Sequence, residues 1–296
     1  MKITLNHKIV IFYLILICVF GFVLGNKQNS LASNQAIRVL FIGNSLTAFN
    51  DMPSIVEKMG STAKDKIRIE TFMIARGGES LDRIVKSRMS SPSTYFKSIE
   101  SKKWNYIVLQ DHSKAPVSGR NQMIKAAEVL VKINQKNKAN TIFFMTWAPK
   151  EKLHQIGEIS MVYNNLSKSL DSKVAPVGLA WDYITRNSTI DLYDFDGIHP
   201  NKVGTLLTAC TIFSTITDQQ CEFSSGDFPK NLSEKEMEYL RDTAWKVYIS
   251  SLPKLFNSKK IVTKATPNES ESLGAGCLYM WTGKVSVEQS TPTVNL

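Results

Sequence analysis

The sequence predicts a three-layer α/β/α domain built on a five-stranded, mainly parallel sheet. Three observations lead there. Short β-rich runs alternate with longer amphipathic stretches over most of the 296 residues, which argues for βαβ units with right-handed crossovers. Runs such as "YIVL" at Tyr106–Leu109 and "TIFFMT" at Thr141–Thr146 are apolar along their length, as strands covered on both faces should be. The unusual polar segments also follow strands, on the one edge where parallel sheets hold their ligands.

The strands are expected at Arg38–Ile42, Ile67–Ile74, Tyr106–Leu109, Thr141–Thr146 and Val174–Val177. Helical patterns lie between them at Pro53–Lys64, Leu81–Lys86, Asn121–Asn137 and Ile159–Asp171. In the first, Pro53 suits the opening turn, and Ile55, Val56 and Met59 share a face. Two further helices follow. Asn201–Thr217 carries Val203, Leu206, Leu207, Cys210 and Phe213 at helical spacing. Ser233–Ser251 opens on "SEKE", a capping box with Glu236 three residues after the cap.

The ends read differently from the middle. Residues 1–33 form a signal peptide or N-terminal anchor, in which Lys2, His7 and Lys8 precede an unbroken apolar run from Ile9 to Leu24. That run is short for a spanning helix, which needs about 20 residues, and suits the core of an export signal. "VLG" ending at Gly25 offers small residues for cleavage, and "LAS" ending at Ser33 does so less well. Export to the periplasm, the cell envelope or the medium is the expectation. A membrane tether through the same run is its main competitor. Residues 34–257 are the folded domain, and residues 258–296 a polar tail.

Charge and cysteine content narrow the function. Of the net +10, Lys2, Lys8 and Lys27 belong to the leading segment, so the rest carries +7, scattered rather than striped with aromatics. Nucleic acid is therefore not an expected partner. Cys210 and Cys221 are near enough in sequence to pair outside the cytoplasm, and no CxxC or Cys/His cluster suggests a metal.

Four strand ends carry polar loops: "GNSLT", "ARGGES", "QDHS" and "WAPK". Ser45 in the first lies where a strand meets a helix, and is either a nucleophile awaiting a base or plain turn chemistry. "DGIHP" places Asp196 and His199 three residues apart, so one turn can set carboxylate against imidazole and leave the other ring nitrogen free as a base. The alternative is a solvated surface turn. A calcium loop fails, because its spacing would put Leu192 at the first ligand position. Gly77 and Gly78 let a backbone N–H turn into a cleft, and Gln110, Asp111, His112 and Ser113 could complete an anion pocket. His112 could donate to an oxyanion, act as a rival base, or be structural.

In this order the segments resemble the SGNH/GDSL hydrolase superfamily. "FIGNSLT" is similar to its first block, with Asn44 in place of the usual Asp. Gly78 in "RGGES" is similar to the oxyanion glycine of the second, and "DGIHP" matches the terminal Asp-x-x-His block. The likeness runs from about residue 38 to residue 217. The third block departs: the family typically shows Gly-x-Asn-Asp, and here Gln110 stands at the glycine and His112 at the asparagine. Some branches carry a Gln-rich version of it.

The resemblance implies a flavodoxin-like fold and an esterase. Ser45 would be the nucleophile, His199 the base and Asp196 its partner. The N–H groups of Ser45 and Gly78 would take the oxyanion, with His112 as the first choice of side-chain donor and Gln110 the second. No metal or cofactor is required. The expected substrate is a small-molecule or glycan ester, with an acetylated carbohydrate leading. An O-acyltransferase and a catalytically inactive carbohydrate-binding module are the alternatives.

Overall fold

A computed structural model describes residues 35–90, 94–223 and 232–252 of the chain. The expected signal peptide or anchor, the expected polar tail and residues 253–257 of the expected domain lie outside them.

Five strands form one sheet: β1 (Ile37–Gly43), β2 (Ile69–Ala75), β3 (Tyr106–Leu109), β4 (Asn140–Phe144) and β5 (Lys173–Ala175). Their order is β2-β1-β3-β4-β5, and all four pairings are parallel. The helices are α1 (Ser45–Ala48), α2 (Met52–Thr62), α3 (Leu81–Ser90), α4 (Thr94–Ser101), α5 (Ala115–Ser118), α6 (Arg120–Lys136), α7 (Ile156–Ser169), α8 (Val177–Asn187), α9 (Lys202–Thr217) and α10 (Glu234–Ser251).

Strand periodicity divides the apolar side chains between two cores. Val39, Phe41, Val108, Ile142 and Phe144 point to one face, against α2, α8, α9 and α10. Leu40, Ile42, Ile107, Leu109 and Phe143 point to the other, against α3, α4, α6 and α7. Successive residues of a strand face opposite ways, so burial on both sides requires the unbroken apolar runs seen in the sequence.

Helix α9 is buried on all sides from Val203 to Ile216. The hydroxyls of Thr205, Thr208, Thr211 and Thr215 each donate to the carbonyl four residues earlier, which satisfies them without solvent. Cys210 and Cys221 form a disulfide with Cα atoms 5.4 Å apart, tying α9 to the chain that follows it.

Some boundaries differ from the sequence reading. β2 begins at Ile69 rather than Ile67, and β4 ends at Phe144 rather than Thr146. The last strand stops at Ala175, because Pro176 leads into α8 at Val177. Helices α1, α4, α5 and α8 are additions to it.

The sheet order reverses direction at β1: its successor β2 lies on one side and β3 on the other. The crevice between the carboxyl ends of β1 and β3 is thus a topological switch point, the expected place for a ligand.

Candidate active site

Ser45 opens α1 directly after β1. Asn44 caps this short helix from an extended backbone, its Oδ1 accepting from the Leu46 amide at 3.1 Å. The other Asn44 groups also reach across the sheet edge. Its backbone N–H donates to Gln110 Oε1 at 2.9 Å, and its Nδ2 donates to the Glu79 carbonyl at 2.9 Å. One buried asparagine therefore joins the loops after β1, β2 and β3.

Gln110, the second choice of side-chain donor in the sequence, is bound into this junction. It is 1% exposed, and its Oε1 accepts from both the Asn44 amide and Thr47 Oγ1, the latter at 2.9 Å. Its Nε2 donates to the Asp111 carbonyl. Gln110 is thus a clamp beneath the Ser45 turn. It also explains Gly43: a Cβ there would lie 2.5 Å from Gln110 Oε1 and 2.5 Å from Thr47 Oγ1.

The Asp-x-x-His segment meets Ser45 from the α9 side. His199 Nε2 is 2.8 Å from Ser45 Oγ, and His199 Nδ1 is 2.5 Å from Asp196 Oδ2. Asp196 Oδ1 also accepts from the amides of Ile198 and His199, each at 2.9 Å. Partial burial works against ionisation of Asp196, but the bonds from the His199 ring and these two amides outweigh it and hold the carboxyl down to about 2. An ionised Asp196 accepts from Nδ1–H, which leaves Nε2 bare to accept from the serine hydroxyl.

The turn itself is stiff. Gly197 takes φ +66°, its amide donating to the Asp194 carbonyl at 3.0 Å. The Asp194 amide donates to the His199 carbonyl at 2.8 Å. Three further bonds pin the segment to the loop after β4. Trp147 Nε1 donates to the Ile198 carbonyl at 2.9 Å, the Lys150 amide to the Gly197 carbonyl at 2.9 Å, and the Tyr193 hydroxyl to the Ala148 carbonyl at 2.8 Å.

Two residues beyond Ser45, Phe49 and Asn50, matter and are missing from the sequence reading. The Phe49 ring stacks on the His199 imidazole, centroids 4.5 Å apart at 19°. Asn50, in a left-handed conformation, donates to Thr205 Oγ1 at 2.8 Å and to the Pro200 carbonyl at 3.2 Å. An asparagine just past a short helix is the kind of residue that tolerates positive φ, and that was the one available hint. Aromatic residues have no comparable local signature.

Gly78 lies in the turn after β2, also at positive φ, where the Glu79 amide donates to the Arg76 carbonyl at 3.0 Å. Because Asn44 holds the Glu79 carbonyl, this turn is tied to the loop that carries Ser45. After β3, Asp111 Oδ1 accepts from the Leu81 amide at 3.0 Å and from the His112 amide at 2.7 Å, bracing the second loop against the third. Burial pushes the Asp111 carboxyl up to about 6, against the pull of those amides.

His112 Nδ1 accepts from the Lys114 amide at 3.2 Å. Partial burial, then the charges of Lys114 and Arg83, hold its pKa below the ordinary histidine value. Together these leave a neutral ring with its proton on Nε2, a donor rather than a base. The ring borders a cavity of about 210 Å³, lined also by Ser80, Lys114, Ala115, Ser118, Gln122 and Met123.

Among the described residues no cluster of three His, Cys, Asp or Glu side chains could hold a metal. The arrangement can move a proton from Ser45 to His199 and stabilise the resulting imidazolium with Asp196.

No protein-family model and no curated protein matches the sequence. Solved structures do match. A DUF4886 family protein from Bacteroides uniformis superposes with a TM-score of 0.61 at 21% identity, over 75% of this chain and 98% of its own. A candidate SGNH hydrolase from Slackia heliotrinireducens gives a TM-score of 0.52 at 22% identity, over 62% of this chain and all of its own. The acetylxylan esterase Axe2 from Geobacillus stearothermophilus gives 0.50 at 13% identity, over 63% of this chain and 97% of its own. The parallel sheet, its strand order and these likenesses agree: the chain has the fold of the SGNH hydrolase superfamily.

Proposed function

We propose that the chain is an exported serine esterase that removes a short acyl group, acetyl first among them, from a carbohydrate ester. The observation that carries this reading is the continuous line of contacts from Asp196 through both nitrogens of His199 to Ser45 Oγ. His199 takes the hydroxyl proton as Ser45 attacks the ester carbonyl, and Asp196 stabilises the imidazolium. The N–H groups of Ser45 and Gly78, with His112 Nε2–H, receive the charge on the carbonyl oxygen. One such donor typically supplies about 2.7–4 kcal/mol in the transition state. His199 then protonates the departing alcohol, and water attacks the acyl-enzyme through the same base. His199 moves every proton in the sequence.

The fold shared with SGNH hydrolases supports ester chemistry, and the likeness to an acetylxylan esterase favours an acetyl ester of a sugar. The buried Cys210–Cys221 disulfide favours an oxidising compartment, in keeping with the apolar run Ile9–Leu24.

A fluorophosphonate probe tests the reading directly. Specific labelling of Ser45, lost in His199→Ala, is the expected result. Folded protein that resists the probe yet binds glycan tightly would replace the esterase with a binding module. Acyl transfer to added glycan in competition with hydrolysis would identify a transferase using the same serine.

A further inference from the structure

The turn that presents Asp196 and His199 also presents Phe195, whose side chain is 98% exposed, and Ile198 beside it, which is 38% exposed. A single exposed apolar side chain is ordinary at a protein surface. Phe195 differs in its placement. It adjoins the proposed acid of the site, on a turn fixed by the Trp147, Lys150 and Tyr193 bonds already described, and its own amide donates to Asp194 Oδ1 at 2.8 Å. The ring stands on a hydrogen-bonded turn, and among the described residues nothing packs over it.

Ester chemistry decides which part of a substrate would meet it. The imidazole that accepts the serine proton must return a proton to the departing alcohol oxygen. That oxygen therefore comes within hydrogen-bond reach of His199 Nε2, and the rest of the alcohol extends from there. Leu81, which follows the Gly78 loop, packs in the core across the sheet, whereas Tyr193, Val203 and the α9 side chains lie in the core on the His199 side. The Gly78 loop and the His199 turn thus come from different layers. The alcohol falls on the side of residues 194–199.

The surroundings of Phe195 select the chemistry of that alcohol. Lys150 and Asp191 form an ion pair at 2.9 Å against the same turn, and the Lys150 side chain lies 3.4 Å from where a Cβ on Gly197 would be. Asp194 and Asp196 flank the ring in sequence. A single exposed aromatic ring between two acidic neighbours in sequence does not suit an acyl chain, which needs continuous apolar area. It suits a pyranose ring, which offers an apolar C–H face and a hydroxylated rim. We propose that Phe195, with Ile198 beside it, is the platform for the alcohol moiety of the substrate and that this moiety is a pyranoside. The assignment rests on the esterase reading above and adds a specificity-determining residue to it.

The test is calorimetric titration of Ser45→Ala protein with partly acetylated xylo- and manno-oligosaccharides, with and without Phe195→Ala. Removing the ring is expected to weaken binding by about tenfold, equivalent to about 1.4 kcal/mol, and Phe195→Trp to restore it. In the protein with Ser45 intact, Phe195→Ala should raise KM for the same oligosaccharide by a similar factor with little change in kcat. The preference for that oligosaccharide over methyl acetate, as a ratio of kcat/KM, should fall accordingly. Equal affinity with and without the ring, or no binding of any oligosaccharide to the parent, would overturn the proposal. So would loss of a dimer in Phe195→Ala by sedimentation with glycan affinity unchanged, since the ring would then serve a second copy. Calorimetry needs no turnover, so it reads Phe195 even if Ser45 fails to label, and the two readings fail separately.

Discussion

The ring of Phe49 lies against the imidazole of His199 with centroids 4.5 Å apart and planes 19° apart. Phe49 is four residues after Ser45, so the segment that positions the hydroxyl also limits where the imidazole can sit. Removing the ring leaves the hydroxyl and the imidazole present but less well aligned. Phe49→Ala should lower kcat for a small acetyl ester by roughly 10- to 100-fold, in line with the cost of about 1 Å of misplacement, with a smaller effect on KM. Phe49→Tyr should recover most of the loss. Steady-state kinetics on the three proteins check this, and an alanine variant at full kcat would remove Phe49 from the positioning of the imidazole.

Gly43 and Gln110 form a coupled pair, since a Cβ at the first would meet the side chain of the second at 2.5 Å. Gly43→Ala should destabilise the fold by about 1–3 kcal/mol through overpacking, and should slow labelling of Ser45 by a fluorophosphonate. Gln110→Ala removes one source of the clash but strips the Asn44 amide of its acceptor. The double variant should therefore be less destabilised than the two single effects added together. A double-mutant cycle by urea denaturation measures that coupling.

Asp111 gives stability a pH dependence with a definite sign. Burial raises its native pKa to about 6, against an ordinary value of 3.8. The native state then binds the proton more tightly than the unfolded chain does. Stability from this group rises as pH falls through about 6, and the cost of the buried charge is fully present above it. The difference between pH 8 and pH 4 is on the order of 2–3 kcal/mol. Asp111→Asn keeps an oxygen for the Leu81 and His112 amides and removes the charge. Urea unfolding at several pH values should show the variant lacking this component of the slope and matching or exceeding wild type at pH 8.

The disulfide closes a short loop, with its cysteines 11 residues apart. Replacing both Cys210 and Cys221 with alanine should cost about 2–4 kcal/mol, chiefly by freeing the unfolded chain. Reductant should lower the urea midpoint of wild type and leave the double variant unmoved.

How much of this is legible in the sequence depends on whether a residue's role is local. Strands such as Tyr106–Leu109 are readable because burial on both faces forces an apolar run. The stretch "KVAPVGLAW" reads as strand through Val177, since β-branched residues flank the proline. Helix α8 becomes evident only when Trp181 stacks on Trp147 at 3.8 Å and its Nε1 donates to Thr208. At the site, Ser45, Asp196 and His199 stand in short segments unusual enough to suggest that folding gathers them. Gln110 is a different case. Its amide suits a cleft or a buried turn equally, and the preference is set by Gly43, which lies far away in sequence. Phe49 and Trp147 act through partners about 150 and 50 residues away, respectively, which periodicity does not encode.

Asp196 and His199 belong to a single turn, whereas Ser45 arrives from the opposite end of the domain's sequence. A rigid-body drift of that turn would lengthen the gap to the hydroxyl yet keep the carboxylate–imidazole bond whole. The carboxylate–imidazole pair is consequently a prefabricated cartridge. Its strongly deshielded Nδ1 proton should persist in the NMR spectrum of Ser45→Ala and vanish in Asp196→Ala.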